Sequence, residues 1–229
     1  MKLRPFISLL TIIVCIGLYA QPTASTEKKH YTFEDQVLGS EWQHVGKPDS
    51  TMYCFAEGRL RLKGSIYELH EDGPSTFMGL KRNASHFVAE TRLSLFDTEN
   101  GDEAGLCLFR SREGYVQCCL NNFQGSRRLK LRLQLYSHRL MIVDRPVGSM
   151  SEVWLRVTSD GEFLRFTYST DGKRYQKMDD VEWKLLSPQL VGGEDHFLIG
   201  LFSFMGSTKY NAGTTFGDFD YFDYYETHP

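Results

Sequence analysis

The chain of 229 residues has little excess of charge of either sign: 26 Lys and Arg stand against 29 Asp and Glu, for a net charge of −3. Without a basic field there is nothing to hold a phosphate backbone, so a nucleic-acid partner is not expected. Metal-binding spacing is also missing. There is no paired CxxC, and His30, His44, His70, His86, His138, His196 and His228 are scattered with no HxH or HxxxH interval. No serine sits in a GxSxG elbow, and no Gly-rich phosphate loop follows a strand-like run. Helical apolar spacing, internal repeats and low-complexity linkers are absent between residues 31 and 226. The apolar run at residues 6–16 falls short of the roughly 20 residues that a bilayer span needs, so no membrane span is expected.

What that run does fit is export. Lys2 and Arg4 precede it and Ala20 ends the segment with a small residue, the pattern of a secretory signal peptide over residues 1–20. A polar tether follows at residues 21–30, and the expected location is secreted or periplasmic. A cell-surface lipid anchor through Cys15 is the poorer reading, because Val14 is bulky where such sites take a small residue. Cleavage leaves Cys54, Cys107, Cys118 and Cys119, which allow three pairings that sequence cannot choose among. Cys118 and Cys119 are adjacent, so in a strand they face opposite sides, and at most one of them shares the core with Cys107. Their plainest role is as small buried apolar residues.

The strongest local pattern is residues 152–175. Val153, Leu155 and Val157 alternate with Trp154, Arg156 and Thr158, and Asp160-Gly161 reverses the chain into a second run ending at Asp171-Gly172. Period-two alternation bounded by Asp-Gly predicts an antiparallel hairpin. Strand-like runs recur at residues 59–62, 77–81, 87–96, 104–109, 115–120, 128–135, 139–143, 196–203 and 215–225. Leu129, Leu131, Leu133 and Leu135 alternate with Lys130, Arg132 and Gln134, which predicts one buried and one wet face. The expected fold is all-β, a two-sheet antiparallel β-sandwich or jelly roll in one domain over residues 31–226.

Glycosidic hydrolysis needs two carboxyl groups flanking the bond. The acidic cluster at residues 97–103 has an Asn-Gly centre and no apolar residue, and is expected to be a solvated loop. Asp218 and Asp220 share a strand face; the plain reading is an acid-lined outer face. A calcium site is a further candidate, with Asp220 joined by Asp35 from the first strand. Aromatic residues, 14% of the chain, suit sugar stacking as well as sandwich cores. Trp154, beside Arg156 and opposite Val153 and Leu155, is the most exposed platform expected. Trp42 and Tyr175 complete the ligand-binding candidates.

Several stretches together resemble the C-terminal concanavalin A-like β-sandwich of glycoside hydrolase family 43, the β-xylosidase and arabinofuranosidase group. They are Leu38-Gly39-Ser40-Glu41-Trp42-Gln43, Gly58-Arg59-Leu60-Arg61-Leu62, Ala89-Glu90-Thr91-Arg92-Leu93, Val153-Trp154-Leu155-Arg156-Val157, Ile199-Gly200-Leu201 and Phe219-Asp220-Tyr221-Phe222. The resemblance implies a concanavalin A-like jelly roll. In that family the sandwich follows a five-bladed propeller that carries the catalytic carboxylates. Here a signal stands where the propeller is expected, so the family's catalytic residues do not carry over. The expectation is a secreted, non-catalytic module of plant-polysaccharide (xylan or arabinan type) utilisation. It would bind a polysaccharide or oligosaccharide, or serve a separately encoded glycoside hydrolase. The alternative is a concanavalin A-like hydrolase or polysaccharide lyase with an unrecognised site. No cofactor is called for beyond the candidate structural calcium.

Overall fold

A computed structural model describes residues 28–46, 51–96, 100–206 and 215–228. The expected signal peptide, the tether up to residue 27 and part of the acidic 97–103 loop lie outside the described residues. Among the described residues there are fifteen strands. The first seven are β1 (Lys29–Thr32), β2 (Trp42–His44), β3 (Tyr53–Ala56), β4 (Arg59–Lys63), β5 (Thr76–Arg82), β6 (His86–Phe96) and β7 (Glu103–Ser111). They are followed by β8 (Gly114–Phe123), β9 (Ser126–Leu135), β10 (His138–Pro146), β11 (Glu152–Asp160), β12 (Phe163–Ser169), β13 (Gln176–Glu182), β14 (Phe197–Phe204) and β15 (Phe216–Glu226). A 3-10 turn at Trp183–Leu186 and a one-turn helix, α1 (Pro188–Val191), link β13 to β14.

Two antiparallel sheets stack into a sandwich of the concanavalin A-like type. The first runs β13-β12-β11-β6-β15-β4-β3, with β1 pairing the C-terminal half of β15. The second runs β10-β9-β8-β7-β14-β5-β2. The predicted hairpin is β11 and β12, and it lies between β6 and β13. In β11, Val153, Leu155 and Val157 are buried between the sheets while Trp154, Arg156 and Thr158 point outward. Opposing side chains from the second sheet, among them Leu106, Cys118, Leu131 and Ile199, complete the core.

Both turns of the 152–175 segment are built as their sequence demands. Gly161 and Gly172 take φ values of 84° and 68°, which favour glycine. The Asp160 carboxylate accepts from the Phe163 and Glu162 amides at 2.7 and 3.0 Å, and that of Asp171 from the Lys173 and Arg174 amides, both at 2.8 Å. These amide donors, aided by Arg165 at Asp160, hold both carboxyls at about 2. A carboxyl whose folded value is depressed stabilises the fold above its unfolded value. That stabilisation is lost as pH falls through the folded value. The turns should therefore loosen between about pH 4 and pH 2. Carbon-detected NMR should find both groups titrating near 2; ordinary aspartate midpoints would show that the turn hydrogen bonds do not form.

The second sheet differs from the one-sided expectation. β7 and β8 are buried along nearly their whole length, on both faces. A second apolar cluster covers the outer face, with Phe77, Cys107, Phe109, Tyr115, Cys119 and Phe202 packed under Leu69 from the segment at residues 64–75. Cys119 thus lies with Cys107 outside the sandwich core, and Cys118 faces the core with its thiol 3.4 Å from the Met178 sulfur. All four cysteines described are free thiols, and burial pushes those of Cys107, Cys118 and Cys119 upward. Arg132 and Gln134, expected on a wet face, are buried too.

Candidate functional site

Cross-strand register builds a polar and aromatic face on the outside of the first sheet. Trp154 lies opposite Arg92, and Arg156 opposite Glu90, across the β11–β6 pairing. On the other side of β6, Arg92 and Glu90 meet Tyr221 and Asp223 of β15. A register shift between Phe219 and Tyr221 places an extra residue, Asp220, in β15. The result is a row of side chains drawn from three strands far apart in sequence, β6, β11 and β15.

Two networks organise that row. In the first, the Glu90 carboxylate accepts from Arg156 Nε at 2.5 Å, the Tyr221 hydroxyl at 2.6 Å and the Tyr175 hydroxyl at 2.8 Å. The Arg156 guanidinium lies 3.6 Å from the centre of the Tyr175 ring, a close cation–π stack. Burial, and then the neighbouring Glu90, raise both phenols well above their ordinary value, so they remain hydrogen-bond donors. In the second, Arg92 bridges Asp220 at 2.6 Å and Glu152 at 2.8 Å, while Arg59 reaches Asp220 at 2.9 Å. The hydrogen bond from Arg92 holds the Glu152 carboxyl below its usual range. Beside them Arg61 grips Asp218 with two bonds, at 2.7 and 2.6 Å.

Glu90, Glu152, Asp218 and Asp220 are thus each neutralised by a guanidinium, and Asp223 is paired with Lys28. A pair of free carboxyls converging on one point, which glycosidic hydrolysis requires, is not formed by them. Trp154 is half-buried and engaged twice. Arg92 lies 4.9 Å from its ring centre, and a Cβ at Gly172 would stand 2.9 Å from Trp154 Cε2.

The expected ligand-binding residues therefore separate. Trp154, Arg156 and Tyr175 share this face. Trp42 does not: it is 7% exposed and packs edge-on against Tyr31 and Phe222, at 5.4 and 5.5 Å. Its strand is only three residues long, too short for alternation to reveal which side faces the core. The calcium candidates do not assemble either. Asp35 is exposed in a turn, and Asp220 is balanced by two arginines that would repel a cation. Among the described residues no group of three or more His, Cys, Asp or Glu could hold a metal ion. Sequence reasoning missed Glu90, Arg92, Glu152 and Tyr221. The polar residues alternating along Glu90-Thr91-Arg92 were the available signal, but their partners lie on other strands.

A different surface feature stands at the edge strand β10. Leu140 and Met141, at successive positions and so on opposite faces of the strand, are each 47% exposed, and Tyr136 and Leu190 are also exposed. The Tyr136 hydroxyl donates to the Leu190 carbonyl, tying the β9–β10 turn to α1. No helix among the described residues is long and apolar enough to cross a membrane.

Comparison with known proteins agrees with this architecture. A family model for the β-xylosidase C-terminal concanavalin A-like domain matches residues 30–225. The non-reducing end α-L-arabinofuranosidase BoGH43B of Bacteroides ovatus is 23% identical over 197 residues, covering 84% of this chain and 36% of that protein. A relative from Escherichia coli K12 is 29% identical over 218 residues, covering 89% of this chain and 39% of its own length. The chain thus spans less than two fifths of the curated relatives it matches. Among solved structures, the GH43 protein BlXynB of Bacillus licheniformis superposes with a TM-score of 0.77 at 21% identity, over 86% of this chain and 39% of that one. A functionally unknown protein of Saccharomyces cerevisiae gives a TM-score of 0.55 at 19% identity, over 83% of this chain and 97% of that one. In that last case the shared sandwich accounts for nearly the whole of the solved chain.

Proposed function

Because the chain belongs to the family of β-xylosidase C-terminal concanavalin A-like domains, we propose that it is an exported, non-catalytic module of xylan- or arabinan-type polysaccharide breakdown. Its role is to dock onto the catalytic portion of a family 43 glycoside hydrolase. The exposed apolar side chains at the β10 edge carry this reading, Leu140 on one face of the strand and Met141 on the other, with Tyr136 tied to the exposed Leu190, because large apolar residues gathered in solvent mark an interaction surface. The hydrolase is the partner of choice because the curated relatives carry this domain as about two fifths of a longer chain. A purely binding role is supported by the pairing of Glu90, Glu152, Asp218 and Asp220 with arginines on the first sheet. Export is supported by Lys2, Arg4 and the apolar run that follows them.

The test is co-purification. Each family 43 hydrolase of the same organism, produced singly, is mixed with this chain and run by size exclusion. One of them should comigrate, and Leu140→Asp with Met141→Asp should abolish the complex while leaving the melting temperature of the isolated sandwich unchanged. Release of xylose or arabinose from xylan or arabinan by the chain alone would refute the non-catalytic role. Retention on insoluble xylan that Trp154→Ala removes, with no comigration, would replace docking by glycan binding on the Trp154, Arg156 and Tyr175 face.

A further inference from the structure

Large apolar side chains in solvent are concentrated at one place. Among the described residues seven are exposed, and four of them, Tyr136, Leu140, Met141 and Leu190, lie on or beside β10. In the second sheet β10 is an end strand, paired with β9 alone among the described residues. The backbone N–H and C=O groups of alternate residues therefore face away from the sheet without a ladder partner. The C-terminal end of the strand is closed, where Arg145 reaches the Tyr168 hydroxyl at 3.4 Å and the Lys177 carbonyl at 3.5 Å. Pro146 follows with no N–H to give. The stretch from Arg139 to Asp144 is left open.

That stretch is complementary to its own reverse: a base, four apolar residues and an acid, Arg139-Leu140-Met141-Ile142-Val143-Asp144. In a regular strand positions 139 and 144 would fall on opposite faces. The register shift between Met141 and Val143 brings them together. Arg139 lies opposite Gln134 and Asp144 opposite Lys130, an even number of residues apart on β9, so both point to the outer face. Leu140 lies opposite Leu133 and Val143 opposite Leu131, which puts both on the other face. Glu68 holds Arg139 and Arg128 holds Asp144, so the two side chains are braced before a partner arrives.

We propose that this edge pairs with the same edge of a second copy of the chain, antiparallel about a two-fold axis between Met141 and Ile142. Arg139 then faces Asp144 of the second copy, and Leu140 faces Val143 of the second copy, each contact occurring twice. The two seven-stranded sheets become one, covering the free ladder groups together with Leu140 and Met141. A two-fold pairing uses up both edges, so it stops at two chains. Six residues from each copy are far fewer than the ~20–30 a side of a standard interface, so the dimer dissociates on dilution. The inference shares β10 with the proposed hydrolase docking without resting on it. One edge holds one partner, so the hydrolase displaces the second copy.

Sedimentation equilibrium of the chain should show a monomer at micromolar concentration and a dimer towards the millimolar range. Arg139→Glu sets like charges against each other twice, as does Asp144→Lys, so each alone should weaken dimerisation by at least about tenfold. An equimolar mixture of the two should recover it, because acid then meets base at both ends of the pairing. That recovery separates this register from a general apolar contact and from any loss of the intrachain pairs, which mixing does not repair. Leu140→Lys should also abolish the dimer, and it decides if a charge variant fails to fold. A chain monomeric throughout, single variants that dimerise like the parent, or a mixture that stays monomeric would each overturn the proposal. A monomeric chain that still comigrates with a hydrolase overturns this inference and leaves the docking standing; a dimer without comigration does the reverse.

Discussion

Replacing Arg132 with methionine is expected to lower the unfolding free energy by about 3–5 kcal/mol, the usual cost of leaving a buried charge without its partner. The Arg132 and Glu103 side chains are 8 and 3% exposed and form an ion pair on the outer face of the second sheet. Desolvation alone would make the guanidinium easier to deprotonate, but Glu103, with smaller contributions from Cys119 and Tyr115, offsets it, and the net shift is upward. In the Arg132→Met protein the carboxylate keeps one donor, Asn121 Nδ2 at 3.2 Å, and no positive charge. Urea unfolding followed by tryptophan fluorescence should show a lower midpoint with an unchanged slope. The double variant Glu103→Leu, Arg132→Met should recover most of the loss, since an apolar pair of similar volume needs no counter-ion. A single variant as stable as the parent would show that the pair is solvated.

The second large effect concerns the aromatic group joining the two sheets. Phe87 on β6 is fully buried and touches Trp183, Phe197 on the opposite sheet and Tyr224, with ring centres 6.0, 5.4 and 5.7 Å away. Phe87→Ala removes the central ring from three partners held by two sheets and a 3-10 turn. The surrounding backbone cannot close the cavity, so the loss should be about 3–5 kcal/mol. For a domain of this size that corresponds to a fall in melting temperature of roughly 10 °C. Phe87→Leu should lose distinctly less because most of the volume is kept. Differential scanning calorimetry checks both; equal melting temperatures for Phe87→Ala and the parent would show that the rings do not pack as described.

The readings that succeeded rest on local rules. Alternation in Val153 to Val157 predicts a strand with one buried side because successive side chains must point to opposite faces. Asp160-Gly161 and Asp171-Gly172 predict turns because glycine takes a positive φ and the aspartate carboxylate accepts from amides two and three residues on. The same rules gave Trp154 and Arg156 a shared outward face. They did not reach Trp42, whose strand is too short to show a phase. Nor could they foresee β1, β2, β3 and β13, short or weakly patterned strands that exist because longer neighbours offer them hydrogen bonds.

The pairing of charges was a different matter. Glu90 meets Arg156, Tyr175 and Tyr221 because β6 lies between β11 and β15 in the sheet order. Arg92 and Asp220 meet through the same neighbouring pair, and a bulge in β15 sets the fine position. Such adjacency joins residues some 60 to 130 positions apart, as with Glu90 and Tyr221, and is selected by global packing rather than by local preference.

Arg132 and Gln134 show the same limit. Their strand has the polar side of an ordinary half-wet sheet, and the sequence alone cannot say that this side becomes buried. Local physics determined that the chain is an antiparallel β-sandwich, where its main hairpin turns, and which side chains line the inter-sheet core. Which carboxylates are neutralised, which aromatic rings stay accessible, and which polar side of the second sheet is enclosed were decided by the tertiary structure. Side-chain alternation is a property of one strand. Strand order and loop cover arise only when distant segments compete for the same hydrogen bonds and buried surface.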